Sequence, residues 1–161
     1  THTITDHGDQ IFGINYSRDG KYLATACLDG YARVYSTENF EIVGDLLPFG
    51  FSYGAMVDFS IDSKYLLARS NYGRDANNVV IWDLATSKEK FRFKHNSGIM
   101  KHSFSFDGKR VYTCSKDNYV KMWALSDGEL LGVFKHSEWI LEAREHVEKL
   151  PGSGTLHSDK V

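Results

Sequence analysis

Residues 107–123 read DGKRVYTCSKDNYVKMW. Asp107-Gly108 is a turn signal, residues 111–115 are a short apolar and β-branched run, and Asp117-Asn118 is a second turn signal before residues 119–123 return in alternation. On that return Tyr119, Lys121 and Trp123 share one face and Val120 and Met122 the other, because strand side chains alternate with a period of two. The stretch is a β-hairpin. Its weight lies in a near copy elsewhere. Residues 19–35, DGKYLATACLDGYARVY, align with it position for position, Asp29 falling 88 residues before Asp117.

The same offset holds upstream: His7 answers to His95, Ile11 to Ile99, and Tyr16-Ser17 to Phe104-Ser105. It equals two periods of about 44 residues, so an intermediate copy is expected near 50–82. There Val57-Asp58-Phe59-Ser60-Ile61-Asp62-Ser63 answers to residues 14–20, a second strand is expected at 66–70 and a third at 79–83. Between those two, residues 71–78 (NYGRDANN) make a longer turn than in the other copies. Thr86-Ser87-Lys88 and Ser126-Asp127-Gly128 each lead into a fourth strand, at 89–93 and 129–134. Residues 1–6 read as one further short strand. Each period is four short strands joined by turn chemistry.

This pattern resembles the WD-repeat β-propeller family. The residues that carry the resemblance are His7, Asp29 and Tyr35 in the first copy, Trp82-Asp83 in the second, and His95, Asp117 and Trp123 in the third; His136 opens a fourth. Each of these histidines is followed four residues later by isoleucine (Ile11, Ile99, Ile140). The implied fold class is all-β: blades of four antiparallel strands near residues 1–44, 45–92 and 93–136, within a partial propeller over 1–137. The resemblance also implies a buried hydrogen-bond chain in each blade. In the third it joins His95, Thr113 or Ser115, Asp117 and Trp123. In the first, His7 and Asp29 are present, but Tyr35 replaces the tryptophan. In the second, Gly50 stands at the histidine position and the aspartate is displaced to Asp75, so no chain is expected.

After His136 the pattern stops. Ile140, Ala143, Val147 and Leu150 recur at helical spacing behind Ser137, a suitable N-cap, and ahead of Pro151-Gly152. An amphipathic helix is expected over 138–150 and a flexible tail over 151–161.

Composition excludes several function classes. The formal net charge is −2 and both signs are interspersed, which argues against a nucleic-acid groove or an anionic membrane surface as partner. No apolar run approaches the ~20 residues of a membrane span. Cys27 and Cys114 lie in expected strands without metal-ligand spacing, as small core residues of an intracellular protein, cytoplasmic rather than nuclear. No cofactor or metal is implied.

The repeated His, Ser/Thr and Asp residues look like a catalytic triad, but their recurrence at structural positions makes them scaffold, so no enzyme is expected. The expected function is a protein–protein interaction scaffold. Two alternatives are a peptide-recognition subunit, of the ubiquitin-ligase receptor or histone-tail reader type, and an enzyme using a propeller channel. Partner contacts are expected where the loops after the second and fourth strands emerge together. Candidates in the first and third copies are Gln10, Phe12, Met100 and His102, with Trp139 just beyond the third. In the second they are Phe49, Phe51, Tyr53, Tyr72 and Arg74. Three blades do not close a ring, since propellers have typically 4–8. Closure then falls to further repeats, to self-association or to a second chain, with two blade faces left open until it happens.

Overall fold

One turn is built three times. In a computed structural model that describes residues 3–44, 47–48, 55–69 and 77–135, Ser17, Ser60 and Ser105 donate their hydroxyls to Asp19, Asp62 and Asp107 at 2.7, 2.7 and 2.5 Å. Each serine oxygen also accepts a backbone N–H from five residues on, at Tyr22, Tyr65 and Arg110, all at 2.9 Å. The residue after each aspartate is left-handed: Gly20 at φ 72°, Ser63 at 58° and Gly108 at 68°. A second turn recurs in the first and third copies, with Gly30 at 92° and Asn118 at 69°, glycine and asparagine being the residues that enter this region most readily.

These turns fold the described chain into three four-stranded antiparallel sheets. Blade 1 is β1 (Ile11–Tyr16), β2 (Tyr22–Cys27), β3 (Tyr31–Ser36) and β4 (Leu47–Pro48). Blade 2 is β5 (Met56–Phe59), β6 (Tyr65–Arg69), β7 (Asn78–Asp83) and β8 (Lys88–Lys94). Blade 3 is β9 (Ile99–Phe104), β10 (Arg110–Ser115), β11 (Tyr119–Ala124) and β12 (Leu130–Lys135). Strand order follows the chain within every sheet. Pro48, which has no N–H to donate, lies on the outer strand of blade 1, an edge-strand habit. Register shifts recur at matching places: at Ile11/Gly13 in β1 and opposite Ser115 in β10, and at Ile81/Trp82 and Met122/Trp123 in β7 and β11. The first pair sets Phe12 and Met100 outside simple alternation.

The core lies between the sheets. Blade 1 offers small side chains, Ala24, Ala26 and Ala32, to the larger Leu66, Val80 and Trp82 of blade 2. The backbones approach so closely that a Cβ on Gly13 would fall 2.9 Å from the Ala55 carbonyl oxygen. Between blades 2 and 3 the fillers are Leu67, Val79, Ile81 and Phe93 against Ile99, Val111 and Leu125. Phe93 stacks on Trp123 with ring centroids 4.5 Å apart and planes 11° from parallel.

Two expectations need correction. Residues 3–6 form no strand. No described strand lies beside them to complete a ladder, and Asp6 instead accepts a hydrogen bond from Tyr35. Cys27 is buried, but Cys114 is only half-buried, because it faces away from blade 2 on a sheet whose other side no blade among the described residues covers. The helix expected over 138–150, the tail over 151–161 and His136 lie outside the described residues.

Gly13→Val inserts a branched side chain against the Ala55 carbonyl, and urea unfolding should show a loss of about 1–3 kcal/mol.

Candidate functional site: a buried polar chain and two open faces

In blade 3 the polar residues form one continuous chain. The Trp123 indole is a donor only, so Nε1–H donates to Thr113 Oγ1, at 2.9 Å. The Thr113 hydroxyl then donates to His95 Nε2, at 2.7 Å. His95 Nδ1–H donates to Asp117 Oδ2, at 3.0 Å. Asp117 is held in turn by the N–H groups of Asn96 and Tyr119 at 3.0 and 3.1 Å. Every donor meets an acceptor when the imidazole is neutral. The sequence left Thr113 and Ser115 open for the hydroxyl position, and Thr113 takes it. It pairs in register with Lys121 on the face toward blade 2, whereas Ser115 donates to the Ser97 carbonyl at the turn.

Burial lowers the pKa of His95 from its ordinary 6.5, against the pull of the Asp117 carboxylate. Burial works against the Asp117 carboxylate, but the backbone N–H groups of Asn96 and Tyr119 and the His95 ring hold it below its ordinary 3.8. His95 and Thr113 are 1% and 0% exposed, so neither ring nitrogen nor hydroxyl faces a substrate.

Blade 1 wires the same positions differently. His7 Nε2 and Thr25 Oγ1 are 2.8 Å apart, matching the third blade. Asp29, however, takes a bidentate fork from Arg33 at 2.6 and 3.1 Å and is not hydrogen-bonded to His7. The Tyr35 hydroxyl donates to Asp6 at 2.9 Å. A phenol projects its donor further than an indole does, and arginine offers two donors where Lys121 of blade 3 offers a point charge. Burial works against Asp29, yet the Arg33 fork and the Gly8 and Tyr31 N–H groups hold its carboxyl far below the usual carboxylate range.

Blade 2 lacks the chain at a position the sequence reading did not single out. Register sets Leu66 opposite Trp82 and Ala68 opposite Val80. Ala68 and Val80 therefore occupy the places of Thr113 and Lys121, and the Trp82 indole N–H is buried without an acceptor among the described residues. The repeat alignment held this signal: Ala68 stands where Thr25 and Thr113 stand.

The expected contact residues divide. Gln10 is exposed, and Phe12 and Met100 are 41% and 47% exposed. His102 is half-buried and turned toward blade 2, in register with Thr113. Phe49, Phe51, Tyr53, Tyr72, Arg74 and Trp139 lie outside the described residues. The structure adds two faces that no loop argument names. On blade 1, Ile14 and Tyr16 are 66% and 59% exposed on the side away from blade 2. On blade 3, Tyr112, Cys114 and Val120 line an apolar cavity of about 450 Å³ on the side away from blade 2. Among the described residues no group of three or more His, Cys, Asp or Glu side chains is placed to hold a metal, and no helix is long and apolar enough to cross a membrane.

Comparison with known proteins agrees with this architecture. A sequence model of the "WD domain, G-beta repeat" family matches residues 1–36 and 87–124, leaving unmatched most of the blade that lacks the polar chain. Elongator complex protein 2 of Dictyostelium discoideum is 29% identical over 139 residues, covering 78% of this chain and 15% of that protein. Human angio-associated migratory cell protein is 25% identical over 147 residues, covering 84% of this chain and 34% of its own length. The crystal structure of RRP9 WD40 repeats superposes with a TM-score of 0.70 at 19% identity, over 81% of this chain and 40% of that one. The chain is a WD-repeat β-propeller protein, and in that family the fold generally serves as a protein-interaction scaffold. It spans well under half the length of these relatives.

Thr113→Val strands both the Trp123 N–H and His95 Nε2, and urea unfolding should show a loss of about 2–4 kcal/mol against about 1 kcal/mol for Ser115→Ala. The pKa directions set a pH dependence. His95 and Asp117 both bind protons less readily folded than unfolded. Their stabilisation is therefore present above pH 6.5 and 3.8 respectively and is lost as the pH falls below each value. Unfolding at pH 7.5 and 5.5 should show the first loss, and His95→Gln should reduce it.

Proposed function

We propose that the protein is a non-enzymatic scaffold for protein–protein interaction whose three blades form part of a ring completed by further repeats or by a second chain. The observation that carries this reading is the pair of open faces. Each end blade turns apolar side chains outward on the side where an inner blade would be covered. Ile14 and Tyr16 mark one face, and the cavity beside Tyr112 and Val120 marks the other. Apolar patches of this kind, rimmed by polar residues, mark sites of protein association. The lengths of the relatives support completion by further repeats.

The absence of catalysis is part of the same proposal. The blade 3 constellation that resembles a triad has both imidazole nitrogens engaged and its hydroxyl fully buried. The groups it contains brace the blade.

Light scattering tests the reading. Residues 1–161 alone should associate in a concentration-dependent way, and a chain extended through further repeats should not. A well-folded monomer of residues 1–161 that binds no apolar dye would contradict it.

A further inference from the structure

Among the described residues two arginines are buried, Arg33 on β3 and Arg69 on β6, and they are treated oppositely. Arg33 is 5% exposed and is neutralised by the bidentate carboxylate of Asp29. Arg69, at the end of β6, is 2% exposed and meets no carboxylate among the described residues. Its Nη1 donates to the Ile99 carbonyl of blade 3 at 2.8 Å. Its Nη2 meets only the Met56 sulfur, also at 2.8 Å, and its Nε has no hydrogen-bond partner. A thioether is a weak acceptor. Nε and Nη2 together form the side of a guanidinium that grips a carboxylate with two parallel hydrogen bonds. That side is the one left without a true acceptor. The half-buried His102 beside it also carries an unpartnered atom. His102 Nδ1 is buried without a partner, and burial, then the Arg69 charge, lower its pKa to about 3.

We propose that the Nε/Nη2 side of Arg69, capped by Met56 and flanked by His102 at the junction of blades 2 and 3, receives one carboxylate from an acidic peptide segment of a partner protein. This rests on the reading of the protein as an interaction scaffold. The ligand is a monoanion because the site carries one charge. His102 is neutral, so a carboxylate leaves the buried pair balanced, whereas a phosphate dianion leaves an excess charge in a poorly solvated place. Access runs through Met56. It is 46% exposed, pairs in register with Arg69, and is unbranched, so it swings aside without disturbing the sheet. Burial then makes the charge-assisted pair stronger than at an exposed arginine.

The test uses the full chain and N-acetylglutamate amide as the carboxylate probe, with N-acetylglutamine amide as the neutral isostere, at constant ionic strength. Side-chain proton–nitrogen correlation spectra follow each arginine Nε–H. The expected result is a saturable shift of one resonance with the carboxylate and none with the amide, that resonance being the one missing in Arg69→Met. Arg69→Lys keeps the charge but loses the fork, and should bind about tenfold more weakly or worse. Equal response to the two probes, undiminished binding by Arg69→Lys, or tighter saturation by inorganic phosphate would overturn the proposal. Probe binding does not depend on ring closure, so failure here is distinguishable from failure of the scaffold reading.

Discussion

The hydroxyl of Thr113 is where blade 3 is tied to itself and, through one ring, to blade 2. It accepts the indole proton of Trp123 and passes its own to His95. The indole so fixed lies flat on Phe93 of the neighbouring sheet. Four buried and half-buried polar groups thus become an asset to an apolar interface instead of a cost, because each is satisfied and each constrains the next. The antiparallel pairing of β10 and β11 puts the hydroxyl and indole within reach, and the turn at Asp117 brings His95 to the chain's far end.

The three blades show what happens as that chain is altered. In blade 1 an arginine and a phenol divide the work, one neutralising Asp29 and the other reaching Asp6. In blade 2 the hydroxyl position is alanine, and its tryptophan keeps an unpaired indole N–H. Blade 2 is nevertheless well packed, with both faces covered by neighbours. Blade 2 has two apolar interfaces to hold it, whereas among the described residues blades 1 and 3 have one each. The polar chains stand in the blades that have lost half of their packing.

Much of this was legible in the sequence because the information is periodic. The Ser-x-Asp turns, the alternating strands and the 88-residue offset all report backbone geometry that repeats, and repetition separates signal from coincidence. Thr113 could not be separated from Ser115 that way, since both hydroxyls fall in the same strand. Register decides it, and register depends on how β10 meets β9 and β11. Phe12 and Met100 sit at register shifts that no alternation pattern contains. Arg69 does not stand out in the sequence either: its importance lies in what fails to face it across a blade junction, which no local pattern records.

The surfaces and the scaffold therefore divide the molecule. Polar groups that look reactive are turned inward and spent on one another, and the faces left over for partners are apolar, while Arg69 lies buried at the junction of blades 2 and 3. Hydrogen exchange of the indole protons tests the inward half of this account most directly. If the chain braces blade 3, the Trp123 Nε1–H exchanges only through global unfolding, with a protection free energy equal to that from urea melts. Exchange at the rate of an exposed indole, with the sheet still folded, would contradict it.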